Sequence, residues 1–499
     1  MKKCFFYATM AVTLLFVTGC KDDDESNTEQ VIPQETEGSK LLIEENNILQ
    51  FQPEDFLNTV SNGKFASGEG WNISPDNMKI IRPILKILNK VVSSFVTEQN
   101  RVLDERFEAE AGAYGQKCHC WQMESYGFTY RSKSARGEDV VLSGRVTFPN
   151  HKTSGIGHKV KSLTLDMHPA SRDVSSVPSR TLGLFTLRAY FDQAVIQPDG
   201  QGLGVNLDKD YYCTISADVL ARQMADCTLA ALEVMRRHGV TLIEGGRSIC
   251  TGYSLGAAVP LSFAKYYETE ASESFRKAVR LKDVYTGCGP MDFETTIRYL
   301  SDNPKYNAML SKTLIFSLAA LSPEQLYGYQ AQDFVNKNLL DIPVVYNGRT
   351  MSYFEAEARY FFNVVGTDDD KPNPQKLSEI LASDMMTRDG KLNGASPKTQ
   401  ALMRILTEQN NLSGWLPTTN IYLIHCKQDD GIPVEQALRC YEQLSNGGKL
   451  ATVHYKETSI LPLLAELAKL RKAGFMHVVA CLFFFKEYIN EDMSEGWKD

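Results

Sequence analysis

The run Gly252-Tyr253-Ser254-Leu255-Gly256 constrains this chain more than any other segment. Before it, Arg247-Ser248-Ile249-Cys250-Thr251 is short and suited to a buried strand; after it, residues 257–264 (Ala-Ala-Val-Pro-Leu-Ser-Phe-Ala) read as a tightly packed helix. Strand, G-x-S-x-G and helix in that order put a serine on a strained turn with its hydroxyl exposed. Glycine is needed on both flanks because a sharp elbow leaves no room for a Cβ beside the neighbouring elements. The pattern gains weight only if the rest of the chain supplies partners in a compatible order.

The chain has the alternation such a turn requires. Tyr126–Arg131 alternates, Gly137-Glu138-Asp139 turns, and Val140–Phe148 returns, which predicts an antiparallel hairpin. Strands and helices then alternate: strands at Lys161–His168 and Ala194–Asp199, a long helix over Ala217–Gly239, then the elbow. Further strands follow at Asp283–Gly287, Asn420–Cys426 and Ala451–Tyr455, with a closing helix over about His477–Asn490. This order predicts a mostly parallel sheet with helices on its faces. Between Asp292 and Thr419 the alternation breaks into helical, aromatic-rich sequence, with Tyr353-Phe354 and Tyr360-Phe361-Phe362 the densest aromatic groups. An insertion after the sixth strand of this count would cover the end of the sheet where the serine sits, so residues 292–419 read as a cap. Residues 41–119 read as a helical extension, clearest where Ser74-Pro75-Asp76 precedes a broad apolar face running from Ile80 to Phe95.

The beginning of the chain carries a different kind of information. Met1-Lys2-Lys3 is basic, Cys4 to Val17 is apolar, and the stretch is too short for a permanent membrane helix, so 1–19 reads as a secretory signal. The ending Phe16-Val17-Thr18-Gly19-Cys20 resembles a bacterial lipobox, which implies lipidation of Cys20 and attachment to a membrane through it. Lys21-Asp22-Asp23-Asp24-Glu25 is similar to the outer-surface export signal of some Gram-negative lipoproteins; read without that likeness it is a solvated tether. Residues 20–40, polar and free of aromatics, are expected to be disordered linker. The implied location is the envelope of a Gram-negative bacterium, on the outer membrane.

A net charge of −8 without a long Lys/Arg run argues against nucleic acid as a partner. Of eleven cysteines, Cys4 and Cys20 belong to the leader, and the odd remainder at irregular spacing is no disulfide framework. Cys250, Cys288, Cys426 and Cys481 lie in apolar runs and read as buried thiols. Cys118-His119-Cys120 looks like a metal fragment but lacks a second pair at ligand spacing, so no metal is expected.

A serine hydroxyl is a poor nucleophile until a hydrogen-bonded base takes its proton, so a histidine must be found. Among eight histidines, His477 follows the last strand and opens the last helix; His425 and His454 lie inside strands, and His238 ends a helix, where a cation suits the dipole. Taken with the elbow, residues 120–490 resemble the α/β-hydrolase superfamily, in which the nucleophile is followed by an acid and then a histidine. The resemblance implies Ser254 as nucleophile and His477 as base. It also implies an acid just after the strand Ile421–Cys426, where His425-Cys426-Lys427-Gln428-Asp429-Asp430-Gly431-Ile432-Pro433 is similar to H-G-x-x-D-x-x-V-P. That register selects Asp429, with Asp430 as the rival in the same turn. Leu165-Asp166-Met167-His168-Pro169-Ala170 falls where the family carries its oxyanion segment. Pro169 has no N–H, so the implied oxyanion donors are Leu255 and Ala170, and His168 is structural. Pro198-Asp199-Gly200-Gln201-Gly202-Leu203-Gly204 resembles the family's glycine turn after the fourth strand; it lacks G-x-G-x-x-G spacing, so no dinucleotide or other cofactor is expected.

These readings converge on an α/β-hydrolase fold with a helical cap after strand 6 and an N-terminal helical extension. The division is signal 1–19, tether 20–40, extension 41–119, core 120–291 and 420–499, and cap 292–419. The expected activity is that of a lipid-anchored serine hydrolase acting on small or lipid-like carboxylic esters, similar to secreted lipases and esterases. A serine peptidase on the same fold would use identical residues. A non-catalytic surface binding lipoprotein would keep the fold but be expected to lose a member of the triad.

Overall fold

The apolar run before the glycine-flanked serine becomes a strand in the middle of a large sheet, and the run after it becomes the helix Ala258–Thr269. The computed structural model describes residues 36–51, 122–150, 158–168, 192–303, 309–321, 326–346, 348–360 and 376–459. It also describes 177–180, single positions from 182 to 189, residue 374, and His477, Ala480, Phe484 and Tyr488. The strands are β1 (Leu42–Phe51), β2 (Gln122–Lys133), β3 (Asp139–Asn150), β4 (His158–Met167), β5 (Gln193–Pro198) and β6 (Val240–Tyr253). They continue with β7 (Leu281–Gly287), β8 (Pro343–Tyr346), β9 (Arg349–Ser352), β10 (Asn420–Cys426) and β11 (Val453–Thr458).

Nine of these form one sheet in the order β1-β2-β3-β5-β4-β6-β7-β10-β11. Pairing is antiparallel from β1 through β2 and β3 to β5, and parallel from there to β11. Every residue of β5 is buried, as are six of the seven in β10, which is why these strands read as continuous apolar runs and not as alternation. Helices Ala217–Arg237 and Ala258–Thr269 cover one face, contributing Leu220, Met224, Val234, Val259, Leu261 and Phe263 to a core shared with β2, β3 and β4.

The chain passes from β4 outward to β5, then back across β4 to β6. The strand order therefore reverses between β4 and β6, and in open α/β sheets the crevice beyond the carboxyl ends at such a reversal is where ligands bind. Ser254 follows β6 directly and His168 follows β4 directly.

Three features differ from the sequence reading. Residues 42–51, expected to open a helical extension, form the edge strand β1, antiparallel to β2. Its side chains carry little signal: Leu42 is buried, but Ile43 and Ile48 are exposed, and the strand is held through its backbone pairing. The strand count therefore starts one earlier, and the insertion follows β7. The rest of the extension, including the helix expected from Ser74, lies outside the described residues, as does the signal. Second, the tether expected through residue 40 ends sooner. Thr36 caps a short helix, Glu37–Leu41, by accepting the Ser39 N–H, and its hydroxyl donates to Glu233 at 3.2 Å. Third, the cap is not wholly helical, since β8 and β9 form a hairpin inside it.

The cap begins at Asp292, whose carboxylate accepts the Thr295 N–H (2.9 Å) and starts helix Phe293–Asp302. It continues through helices Met309–Phe316, Lys337–Asp341, Tyr353–Tyr360, Leu377–Ile380 and Pro397–Glu408. Its apolar residues, among them Leu314, Phe316 and Tyr353, make one core with Leu255 from the elbow and Ile432 from the loop after β10. The cap is thereby packed against both sides of the site.

Candidate active site

The elbow is built from absences of side chain. Ser254 has φ 56°, a left-handed conformation costly for a residue with a Cβ, and it opens the short 3-10 turn Ser254–Gly256. A Cβ on Gly252 would run into the Gly256 carbonyl, and one on Gly256 into the carbonyl oxygens of Met167 and His168. The glycines thus let the turn close on itself and let the end of β4 pass directly against it. A third glycine, Gly289, is required in the same way: its Cβ would overlap the Ser254 carbonyl. Thr286 adds a hydrogen bond to the Ala257 carbonyl (2.5 Å) beneath the turn.

The loop after β10 carries Asp429. Asp429 Oδ1 accepts the N–H groups of Gly431 and Ile432, both at 2.9 Å, which curls the loop and leaves Oδ2 to point outward. His425, fully buried, has Nε2 3.3 Å from the Ile432 carbonyl, and burial pushes its pKa down. Gly431 lies against the Cβ of His477, at 3.1 Å from where its own Cβ would be.

The third element is helical at its four described positions, His477, Ala480, Phe484 and Tyr488. These are spaced three to four apart and all buried, so they form one stripe against the sheet. Phe484 and Tyr488 meet the rings of Tyr253 and Tyr285, with centroids 5.5 and 4.8 Å apart.

These elements converge. Ser254 Oγ lies 2.7 Å from His477 Nε2, and His477 Nδ1 lies 2.9 Å from Asp429 Oδ2. Exposure is small at all three, 9% for Ser254, 7% for His477 and 6% for Asp429, so their hydrogen bonds sit in a low-dielectric setting. Burial by itself would depress the imidazole pKa, but the Asp429 carboxylate and then Asp430 more than offset it, and His477 is held above its ordinary value. Asp429 in turn is desolvated, yet the facing imidazole keeps its carboxyl below the usual range. The arrangement favours Asp429 as an anion and His477 as a group able to take a proton from Ser254.

Asp430 Oδ1 accepts the backbone N–H of His477 at 3.0 Å, whereas the imidazole Nδ1 faces Asp429. Leu255 directly follows Ser254, and its side chain is buried. Ala170 lies outside the described residues; the last described residue before it, His168, has Nε2 2.9 Å from the Asp199 carbonyl. The glycine turn after β5 is closed around Asp199, whose carboxylate accepts from Ser143 and Ser179. His454 is on an exposed position of β11 stacked on Tyr422, and His238 caps its helix beside Glu45. Cys250, Cys288 and Cys426 are buried thiols that form no disulfide; Cys20, the Cys118–Cys120 run and Cys481 lie outside the described residues. Sequence reasoning did not pick out Tyr253, Gly289 or His425 as parts of the site, although Tyr253 lies within the elbow motif itself.

A mostly parallel sheet flanked by helices, with the serine elbow after β6 and a cap after β7, is an α/β-hydrolase fold. No protein-family model matches the chain, and no curated protein matches it by sequence. Solved structures do match. A variant of the rice cell wall degrading esterase LipA from Xanthomonas oryzae superposes with TM-score 0.55 at 16% identity, over 77% of this chain and 93% of that one. A protein provisionally designated a hydrolase, from Legionella pneumophila, gives TM-score 0.53 at 18% identity, over 76% and 91%. At such identities the likeness establishes the fold.

Proposed function

We propose that the chain is an exported, lipid-anchored serine hydrolase that cleaves carboxylic esters through an acyl-enzyme. The observation that carries the reading is the relay Ser254–His477–Asp429, two hydrogen bonds of 2.7 and 2.9 Å at the carboxyl end of β6. Ser254 Oγ attacks the ester carbonyl while His477 Nε2 accepts its proton. The N–H groups of Leu255 and Ala170 stabilise the oxyanion. The imidazolium, stabilised by Asp429, then protonates the departing alcohol. His477 next takes a proton from the water that attacks the acyl-enzyme and gives it to Ser254 Oγ as the acyl–oxygen bond breaks, which releases the acid and restores the serine. Esterase and hydrolase designations among the structural neighbours agree with this chemistry. The lipid anchor is supported by the sequence Phe16–Cys20 and the acidic run after it.

The test is covalent labelling with a fluorophosphonate, alongside hydrolysis of p-nitrophenyl esters of graded acyl length and of aminoacyl-p-nitroanilides. Wild-type protein should be labelled at Ser254 and turn over esters, and Ser254→Ala should do neither while remaining folded. Preference for the anilides would make it a peptidase. No labelling of wild type would leave a binding protein.

A further inference from the structure

His477 is gripped by more than its acid. Its ring is held by Asp429, but its backbone is held at both ends of the residue. The amide N–H donates to Asp430 Oδ1 at 3.0 Å, and the carbonyl oxygen accepts the hydroxyl of Tyr253. The Tyr253 ring also lies against the imidazole, with centroids 5.3 Å apart and planes within 18°. Tyr253 is the residue before Ser254, and Asp430 is the residue after Asp429. Each of the other two members of the relay therefore has a chain neighbour that holds the third.

The geometry matters because proton transfer depends on where Nε2 stands relative to Oγ. Fixing N–H and C=O of one residue fixes its Cα and the direction of its Cα–Cβ bond, leaving two side-chain torsions. Asp429 sets one edge of the ring and Tyr253 covers its face, so those torsions are restrained as well. A displacement of about 1 Å at such a site costs roughly a hundredfold in rate. Ser254 and Asp429 need no comparable clamp, since the glycine-flanked turn holds one and two loop N–H groups hold the other.

We propose that Tyr253 and Asp430 are positioning residues for His477, clamping its backbone from opposite sides, with the Asp430 charge also facing the imidazolium. This rests on the serine-hydrolase reading for its effect on rate but not for the clamp itself. Among the described residues, the titratable groups facing His477 are Asp429 and Asp430 from the loop, His425 from β10 and Tyr253 from β6.

The experiment uses the full chain and four variants: Tyr253→Phe, Asp430→Asn, Asp430→Ala and His477→Gln. Tyr253→Phe keeps the ring and removes the hydroxyl; a single net hydrogen bond corresponds to about a tenfold effect. It should lower kcat for a p-nitrophenyl ester, and the rate of fluorophosphonate labelling, about tenfold with KM and the pH midpoint in place. Asp430→Asn keeps an oxygen that can accept the His477 N–H but loses the charge. Its rate should fall less than about tenfold, while the acid limb of the pH profile moves to lower pH. Asp430→Ala should show the same pH movement with a further loss of kcat.

The clamp also has a readout free of turnover. In protein carrying 15N-histidine, the His477 resonances, assigned by their loss in His477→Gln, should titrate at lower pH in Asp430→Asn than in wild type. Wild-type kcat in Tyr253→Phe together with an unmoved His477 titration in Asp430→Asn would overturn the proposal. If Tyr253→Phe does not fold, the Asp430 pair decides it by the same titration and kcat. If wild type shows no Ser254 labelling and no turnover, the hydrolase reading falls; the titration then decides the Asp430 charge contact, and the shift of the His477 backbone amide resonance in Asp430→Ala decides the clamp.

Discussion

Replacing Asp429 by asparagine separates the acid's electrostatic task from its structural one. Oδ1 holds the loop through two N–H groups at 2.9 Å, and Oδ2 accepts from His477 Nδ1 at 2.9 Å. An asparagine can keep its carbonyl oxygen on the two loop donors, so the loop should stay folded. Its NH2 then faces Nδ1, which must become an acceptor, and the proton moves to Nε2, the nitrogen 2.7 Å from Ser254 Oγ. In that tautomer the imidazole cannot accept the serine proton. A wrong tautomer of this kind costs about 10⁴ in kcat, roughly 5.4 kcal/mol of barrier. The assay is kcat on a p-nitrophenyl ester beside the thermal midpoint. The expected result is a loss near 10⁴-fold with the melting temperature almost kept. Asp430→Asn, which keeps an oxygen able to accept the His477 backbone N–H, should lose less than about tenfold. Near-wild-type turnover in Asp429→Asn with collapse in Asp430→Asn would refute the reasoning and move the acid by one residue.

Activity should fall as pH drops, because His477 must be neutral to act as base. Its pKa is raised above the ordinary 6.5, so the midpoint of kcat/KM against pH should lie above 6.5, and a flat profile down to pH 5 would contradict it. Tyr353→Ala should cost on the order of 3–5 kcal/mol of stability, measured by urea unfolding. Tyr353 is fully buried, with its ring edge-on to Phe316, so a shift in acyl-length preference without destabilisation would be the opposing result. Cys20→Ser should abolish incorporation of radioactive fatty acid in cells; continued incorporation would remove the proposed anchor.

Much of the fold was legible because parallel strands buried on both faces announce themselves as apolar runs between helices. Asn420–Cys426 begins and ends where its composition says it should. The central three side chains were legible for a different reason: each follows a strand end, and their order along the chain is a property of one fold. What was missed was carried by the backbone. β1 has a mixed side-chain pattern and exists through pairing with β2. The hairpin of β8 and β9 turns at Gly348, φ 75°, and Asn347-Gly348 between Tyr346 and Arg349 is a strong hairpin signal that the surrounding helical texture obscured. Tyr353 and Tyr360 are cap core, Tyr360 stacking on Tyr346 and bonding Asp208 at 2.8 Å, whereas Phe361 and Phe362 lie outside the described residues.

The elbow shows why a motif understates the site it marks. G-x-S-x-G specifies two glycines, yet the turn needs Gly289 as well, since a side chain there would meet the Ser254 carbonyl. Gly289 follows β7, thirty-five residues further on, and nothing in its local sequence ties it to the serine. The requirement arises only when β7 is placed beside β6, because the turn after one strand then leans on the end of the next. The same placement brings Thr286 under Ala257 and explains why the strained φ of Ser254 is held by a neighbouring strand as well as by the turn itself. Tyr253 follows the same logic from the other face. Its side chain points away from the turn to the stripe of His477 and Phe484, so the residue that looks like a spacer in the motif is the one through which the elbow reaches His477. Strain at Ser254 can persist because the surrounding contacts over-determine it. Those contacts come from β4, β7 and the helical stripe at His477, segments separated by up to about three hundred residues in the chain.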